Sequence, residues 1–283
     1  MTKTVLITGC SSGLGKSAAR HFVQNGWNVV ATMRKPAPDL AREFPDRVLV
    51  QALDVADPTS IEAAFEAGVA RFGGIDAVVN NAGITILSVF EATPDHAIRR
   101  IFETNVFGTM NVTKAALPYL RGQGGGTIVN VTSGVGFVAV PLLSLYVSSK
   151  HAVEGLTESL SYELESQNIR VKLVEPGAMR TTNFTATGMA ASQDAPVPEG
   201  YKAYFDHALG AMMNYPFEST EEIAVAEAVY AAANDETHRL RYPVGPDIEE
   251  YARLRWSTSE DEYLAGMHRL TGQTAWREMI TVR

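Results

Sequence analysis

One cysteine, Cys10, stands in 283 residues, which excludes an intrachain disulfide and fits a reducing compartment. No apolar run approaches the roughly 18 to 20 residues that a membrane span requires. The first apolar stretch, Thr4-Val5-Leu6-Ile7-Thr8, is too short for a secretory signal and runs into Gly9 instead of a cleavage site. Positive charge is scarce too: 24 Lys and Arg against 32 Asp and Glu leave a net charge of −8. That balance opposes non-specific binding to nucleic acid or anionic membrane. The six histidines show no metal-ligand spacing, and no internal repeat or low-complexity tract interrupts the chain. What remains is the expectation of a soluble, cytoplasmic protein with no metal. At 46% hydrophobic and 20% charged residues, it can bury a substantial core.

Short apolar runs alternate with helical periodicity. Val5-Leu6-Ile7 predicts a buried strand, followed by a Gly-rich turn. Ala18, Ala19, Phe22 and Val23 then recur at helical spacing up to Gly26. Further strands are expected at Trp27 to Thr32, Val48 to Leu53, Ile75 to Asn80, Thr127 to Thr132, Arg170 to Glu175 and, short and last, Arg241 to Val244. Helices are expected at Ile61 to Phe72, Asp95 to Leu120, Tyr146 to Gln167 and Thr220 to Ala233. Strand–helix–strand units with right-handed crossovers imply a parallel sheet, so the fold class is a doubly wound α/β sheet. Residues 178–217 break the rhythm with Thr, Pro and Gly, and read as an irregular lid over a binding site or a surface loop. The tail, 247–283, carries Tyr251, Leu254, Trp256, Tyr263, Leu264, Met267 and Leu270. It is too apolar to float free and is expected to cover the pocket or a neighbouring subunit.

Gly9-Cys10-Ser11-Ser12-Gly13-Leu14-Gly15 sits between the first strand and its helix. In that position glycines let the backbone approach a pyrophosphate, and the helix N-terminus offers free N–H groups. An acid about 20 residues further on would take the ribose hydroxyl of NAD, whereas an Arg would accommodate a 2′-phosphate. The second strand ends in Thr32-Met33-Arg34-Lys35, with no acid before Asp39. Arg34 therefore points to NADP(H) over NAD(H), with Lys16 and Lys35 as further cationic candidates.

Tyr146 and Lys150 lie four apart in a helical stretch and so share one face. A phenol titrates near ~10, and a fixed ammonium beside it would lower that value and suit it to proton transfer. Directly upstream, Phe137-Val138-Ala139-Val140-Pro141-Leu142-Leu143 is apolar. It either lines a site for a hydrophobic substrate or packs the loop.

Taken in order, Thr8-Gly9-x-x-x-Gly13-x-Gly15, Asn80-Asn81-Ala82-Gly83, Asn105, Ser133, Tyr146-x-x-x-Lys150 and Pro176-Gly177 resemble the short-chain dehydrogenase/reductase family of the common single-domain type. The resemblance implies a Rossmann-type parallel sheet of about seven strands in the order 3-2-1-4-5-6-7, a single domain over 1–283, and a catalytic set of Asn105, Ser133, Tyr146 and Lys150. Ser133 would hold the substrate oxygen and Tyr146 would transfer the proton. Lys150 would lower the Tyr146 pKa and bond the nicotinamide ribose, and Asn105 would anchor a relaying water. Cofactor contacts would come from Gly9, Ser11, Ser12, Gly13, Leu14, Gly15 and Arg34, and from Asp54 and Val55 at the adenine. Asn81, Ala82 and Gly83 would follow at its ribose, with Tyr146, Lys150, Pro176, Gly177 and Thr181 at the nicotinamide end. The expected reaction interconverts a carbonyl and a secondary alcohol on a small, hydrophobic substrate, in a homodimer or homotetramer. A non-catalytic dinucleotide-sensing protein of the same fold is the alternative, and retention of Ser133, Tyr146 and Lys150 together tells against it.

Overall fold

Val5, Leu6 and Ile7 are wholly buried, as are Val29, Val30 and Ala31 beside them, because these strands are sandwiched between two helical layers. The computed structural model describes residues 2–179, 184–192 and 195–281, with 184–186 as backbone only. β1 (Thr4–Ile7), α1 (Gly13–Gln24) and β2 (Asn28–Met33) form the first strand–helix–strand unit. The short α2 (Asp39–Glu43), β3 (Val48–Ala52), α3 (Pro58–Phe72) and β4 (Ala77–Asn80) follow. The next helices are α4 (Asp95–Phe102) and α5 (Gly108–Gly122), leading to β5 (Gly126–Val131), α6 (Ser144–Glu165) and β6 (Ile169–Pro176). All seven strands run parallel in the order β3-β2-β1-β4-β5-β6-β7, the last being β7 (Arg241–Val244). This is the doubly wound sheet that the alternation implied, in the Rossmann-type order that the resemblance implied.

Period-two side-chain alternation divides the core between the two faces. Val5, Ile7, Val29, Ala31, Val79 and Val129 pack on one side with Phe22 of α1 and Val225, Val229 and Ala232 of a later helix. Leu6, Val30, Val78 and Ile128 pack on the other with Phe65 of α3 and Val112 and Leu120 of α5. Full burial of a residue such as Phe22 or Phe65 contributes about 1.5–3 kcal/mol. α3 shows why its ends fall where they do. Asp57 accepts from the Thr59 N–H as N-cap, Pro58 opens the first turn, and Gly73 closes it at φ 88°.

Three departures from the sequence reading matter for the site. The long helix expected over Asp95–Leu120 is interrupted by one π-turn, Glu103–Phe107, between α4 and α5. The described residues of the segment 178–217 are largely helical: α7 (Phe184–Ala191) and α8 (Glu199–Met213) lie within it. After α9 (Glu222–Asn234) and β7, the tail forms α10 (Pro246–Ser257), α11 (Glu260–Leu270) and α12 (Gln273–Thr281). Its Ile248, Tyr251, Leu254, Tyr263 and Met267 bury Phe137 and Val138. The tail thus covers its own chain beside the cleft. Among the described residues no helix is long and apolar enough to cross a membrane.

Candidate active site

The strand order reverses at β1, whose neighbours β2 and β4 leave by opposite directions, and open α/β sheets bind ligands at the carboxyl ends of such strands. There a cavity of about 950 Å³ runs from the Gly9–Gly15 turn past the ends of β4 and β5 to α8 and α10. It is large enough for a sizeable ligand. Every described residue of the expected constellation except Asn105 lines it: the turn, Arg34, Asp54, Val55, Asn81, Ala82, Gly83, Ser133, Tyr146, Lys150, Pro176 and Gly177. Thr181 lies outside the described residues.

The turn can take only glycine at its tightest points. Gly9 has φ +76°, and a Cβ at Gly15 would lie 2.3 Å from the Gly9 carbonyl oxygen and 2.6 Å from Asn81 Nδ2. Thr8 fastens this turn to the end of β4: its Oγ1 accepts from the N–H groups of Asn81 and Ala82, each at 3.0 Å, and Asn81 Nδ2 donates to its carbonyl at 2.9 Å. The Ser12 side chain makes no capping bond at the start of α1, so the first-turn N–H groups are open to an anion. At the other end of the cofactor arm, Asp54 spends Oδ1 on the Ala56 N–H at 3.0 Å. Arg34 is exposed at the rim. A dinucleotide fits this arrangement: a glycine cradle at a helix N-terminus, a carboxylate and a guanidinium flank one continuous cleft.

Ser133 follows β5 and caps a single 3₁₀ turn, where its Oγ accepts from the Val135 N–H at 3.4 Å and donates to the Pro176 carbonyl at 3.4 Å. Tyr146 and Lys150 descend from the first turns of α6, and Tyr146 is hydrogen-bonded to Ser133. Lys150 Nζ donates to the Val131 carbonyl at 2.9 Å and lies 5.6 Å from the centroid of the Tyr146 ring. The electrostatics differ from the sequence expectation. Burial raises the Tyr146 pKa above the ordinary phenol range, the Ser133 bond opposing it, while burial lowers Lys150 to about 8. Lys150 does not make the phenol acidic here, because desolvation of a buried phenolate outweighs an ammonium committed to a backbone carbonyl. Tyr146 is a protonated acid at neutral pH.

Asn105 is 1% exposed within the π-turn. Its Oδ1 accepts from the Ile84 N–H at 2.8 Å, and Nδ2 donates to the Ile84 carbonyl at 2.9 Å and to Ser149 Oγ at 3.0 Å. Both ends of the amide are engaged, so the side chain is a latch that holds the strand-end backbone beside Lys150.

The apolar run before Tyr146 divides its duties: Phe137 and Val138 are packed under the tail, whereas Val140, Pro141 and Leu143 line the cavity. The same cavity is also lined by Met189, Leu209, Met212, Tyr215, Ile248 and Tyr251, of which the sequence reading names only Tyr251, in the tail expected to cover the pocket or a neighbouring subunit. The recurrence of Ala208, Leu209 and Met212 was the available signal, masked by Gly200, Gly210 and the surrounding prolines.

Comparison with known proteins accords with this geometry. The sequence model described as short chain dehydrogenase matches residues 3–191. An uncharacterized oxidoreductase of Bacillus subtilis (strain 168), YusZ, is 38% identical over 256 residues, covering 87% of this chain and 90% of its own. A short-chain dehydrogenase from Streptomyces avermitilis superimposes with a TM-score of 0.78 at 30% identity, covering 99% of this chain and 98% of that one. ElxO with NADP bound gives 0.70 at 28% identity over 86% and 98% of the two chains. A 3-ketoacyl-(acyl-carrier-protein) reductase from Brucella melitensis complexed with NADH gives 0.71 at 27% over 85% and 96%. With most of its length matched and a glycine turn, serine, tyrosine and lysine gathered in one cleft, the chain belongs to the short-chain dehydrogenase family of oxidoreductases.

Proposed function

We propose that this protein is an NADP(H)-dependent oxidoreductase that interconverts a ketone or aldehyde with an alcohol, on a hydrophobic substrate. The observation that carries the reading is the buried Tyr146 phenol, bonded to Ser133 and one helical turn from Lys150, on the wall of a cleft that begins at a glycine-rich turn. Structural neighbours bound to NADP or NADH support a nicotinamide dinucleotide as cofactor. The turn would hold its pyrophosphate, Asp54 and Val55 its adenine, and Asn81 to Gly83 its ribose. When bound, the reduced nicotinamide supplies the hydride.

The residues of the chain then supply position and a proton. Ser133 Oγ orients the carbonyl oxygen, and Tyr146, protonated at neutral pH, donates to that oxygen as negative charge develops. Lys150 has spent one of its three donors on Val131 and keeps others for a ribose hydroxyl. The preference for NADP(H) rests on Arg34 and on the fact that the first acid beyond β2, Asp39, is paired with Lys16 at 2.7 Å. The apolar wall formed by Val140, Leu143, Met189, Leu209 and Met212 favours lipophilic carbonyls over sugars. We place the protein in the cytoplasm as a homodimer or homotetramer, with Phe107, Met110 and Tyr162 exposed on the long helices as its contacts.

An NADPH-consumption screen over a broad carbonyl panel tests the reading. Lipophilic ketones should be reduced, and Tyr146→Phe should lower kcat by about 10²–10⁴-fold with cofactor binding retained. Turnover unchanged in Tyr146→Phe, or sugars outperforming lipophilic ketones, would overturn it.

A further inference from the structure

Behind the wall of the active site lie two glutamates that the proposed chemistry does not use. Glu154 stands one turn beyond Lys150 on α6 and is 5% exposed, and Glu175, immediately before Pro176 on β6, is completely buried. Glu154 Oε1 accepts a 2.5 Å bond from Thr132 Oγ1, on the residue preceding Ser133. Its side chain also fills the space beside Gly136, where a Cβ would lie 3.0 Å from Glu154 Cγ. The cation of the cluster is Arg241. Its Nη2 lies 3.2 Å from Glu154 Oε2 and 3.0 Å from Glu158 Oε2, and its Nε lies 3.3 Å from Glu175 Oε1. The Nε contact lacks hydrogen-bond geometry, and neither oxygen of Glu175 meets a donor among the described residues.

One guanidinium, shared with Glu158 at the surface, cannot neutralise two ionised carboxylates inside the protein, and buried acids in that position take up a proton instead. We propose that Glu175 is the protonated member and donates a hydrogen bond to the Glu154 carboxylate, and that Glu154, thereby fixed as the charged member, keeps Lys150 in its ammonium form and holds the Thr132–Ser133 turn. Both are positioning residues, and the role toward Lys150 rests on the catalytic reading given above. The charges facing the pair are Arg241 and Arg239 from the β7 edge and Lys150 from α6. Burial, followed by the charge of Glu154, pushes Glu175 up to about 9. Burial pulls Lys150 down, and Glu154 is the group that opposes this.

Two glutamine variants of the full chain separate the roles. Glu175→Gln keeps a neutral donor in place, whereas Glu154→Gln removes the charge that faces Lys150. In kcat against pH for NADPH-dependent reduction, the alkaline limb set by Lys150 near 8 should move down by about one pH unit in Glu154→Gln. It should stay in place in Glu175→Gln. Equal movement in both variants, or none in either, overturns the charge assignment.

Thermal unfolding of wild type and Glu175→Gln without substrate provides an arm independent of activity. The folded state keeps the Glu175 proton up to about 9, while the unfolded chain releases it near ~4.3. Through this group the wild type therefore loses stability as pH rises between those values, and Glu175→Gln removes that contribution while leaving those of the other buried groups, Glu154 among them, whose pKa burial also raises. The Tm of the variant relative to wild type should climb steadily from pH 5 to pH 9, and a flat difference overturns the shared proton. A climbing difference in a protein that reduces no carbonyl supports the proton assignment and refutes the catalytic reading alone.

Discussion

Arg34 stands exposed at the end of β2 with no hydrogen bond or ion pair to any described residue, whereas Lys16 is held 2.7 Å from Asp39. The sequence favours Arg34 for a 2′-phosphate and leaves Lys16 as a further candidate. The ion pair separates them, since Lys16 would have to give up Asp39 to reach a ligand. Arg34→Ala should therefore weaken NADPH binding by about 10- to 100-fold, the worth of one charge-assisted contact of about 1.5–3 kcal/mol, and leave NADH binding within about twofold. Fluorescence titration of both cofactors checks this, and equal loss for the two would remove Arg34 from the phosphate site. Tyr146 makes a related point at the same scale. Its four-residue spacing from Lys150 is written in the sequence, but its pKa is not, because the dominant cause is burial by residues distant in the chain.

Among the elements, α8 is the one whose helical form the sequence hid, since residues 178–217 read as an irregular lid or loop. Met212 and Leu209 line the cavity from it, packed in one cluster with Leu143, and neither belongs to a motif. Such a wall binds the substrate equally in ground and transition states, so trimming it should act on KM and spare kcat. Met212→Ala is expected to raise KM for a lipophilic ketone about tenfold, as about 1.4 kcal/mol of apolar contact is lost, with kcat changed less than about twofold. Steady-state kinetics on the best substrate of the carbonyl panel measures both. A fall in kcat alone would place α8 in the catalytic step instead.

Most strands were legible because they are short runs rich in β-branched residues and bounded by turn residues. β7 falls at Arg241–Val244 as expected, and the Gly-rich turn declared its own context. The π-turn at Glu103–Phe107 left no such signature, because its cause is tertiary: Asn105 reaches out of the helix to latch Ile84. The Glu154–Glu175–Arg241 cluster was illegible for the same reason. Its members come from α6, β6 and β7 and meet only when the sheet is assembled.

At the scale of the whole molecule, the cleft joins parts that the sheet alone does not tie together. The glycine turn after β1, the Ser133 loop after β5 and the tail helix α10 all contribute to one cavity. A ligand that bridges them binds the folded state and not the unfolded chain, so it must stabilise the fold by mass action. At 100 times its Kd, NADPH should add about 2.7 kcal/mol, which for a chain of this size raises Tm by roughly 5 °C. NADH at the same concentration should add less, in proportion to the contact that Arg34 makes. Gly15→Ala is the control, because its methyl would fall 2.3 Å from the Gly9 carbonyl oxygen and distort the cradle. Its own Tm should drop, and its NADPH-induced increment should shrink to under about 2 °C. Differential scanning calorimetry of both proteins with each cofactor reads all four numbers. An increment that persists in Gly15→Ala would mean that the dinucleotide does not bind across the turn, and the orientation of the whole cleft, from Arg34 at one end to Tyr146 at the other, would have to be redrawn.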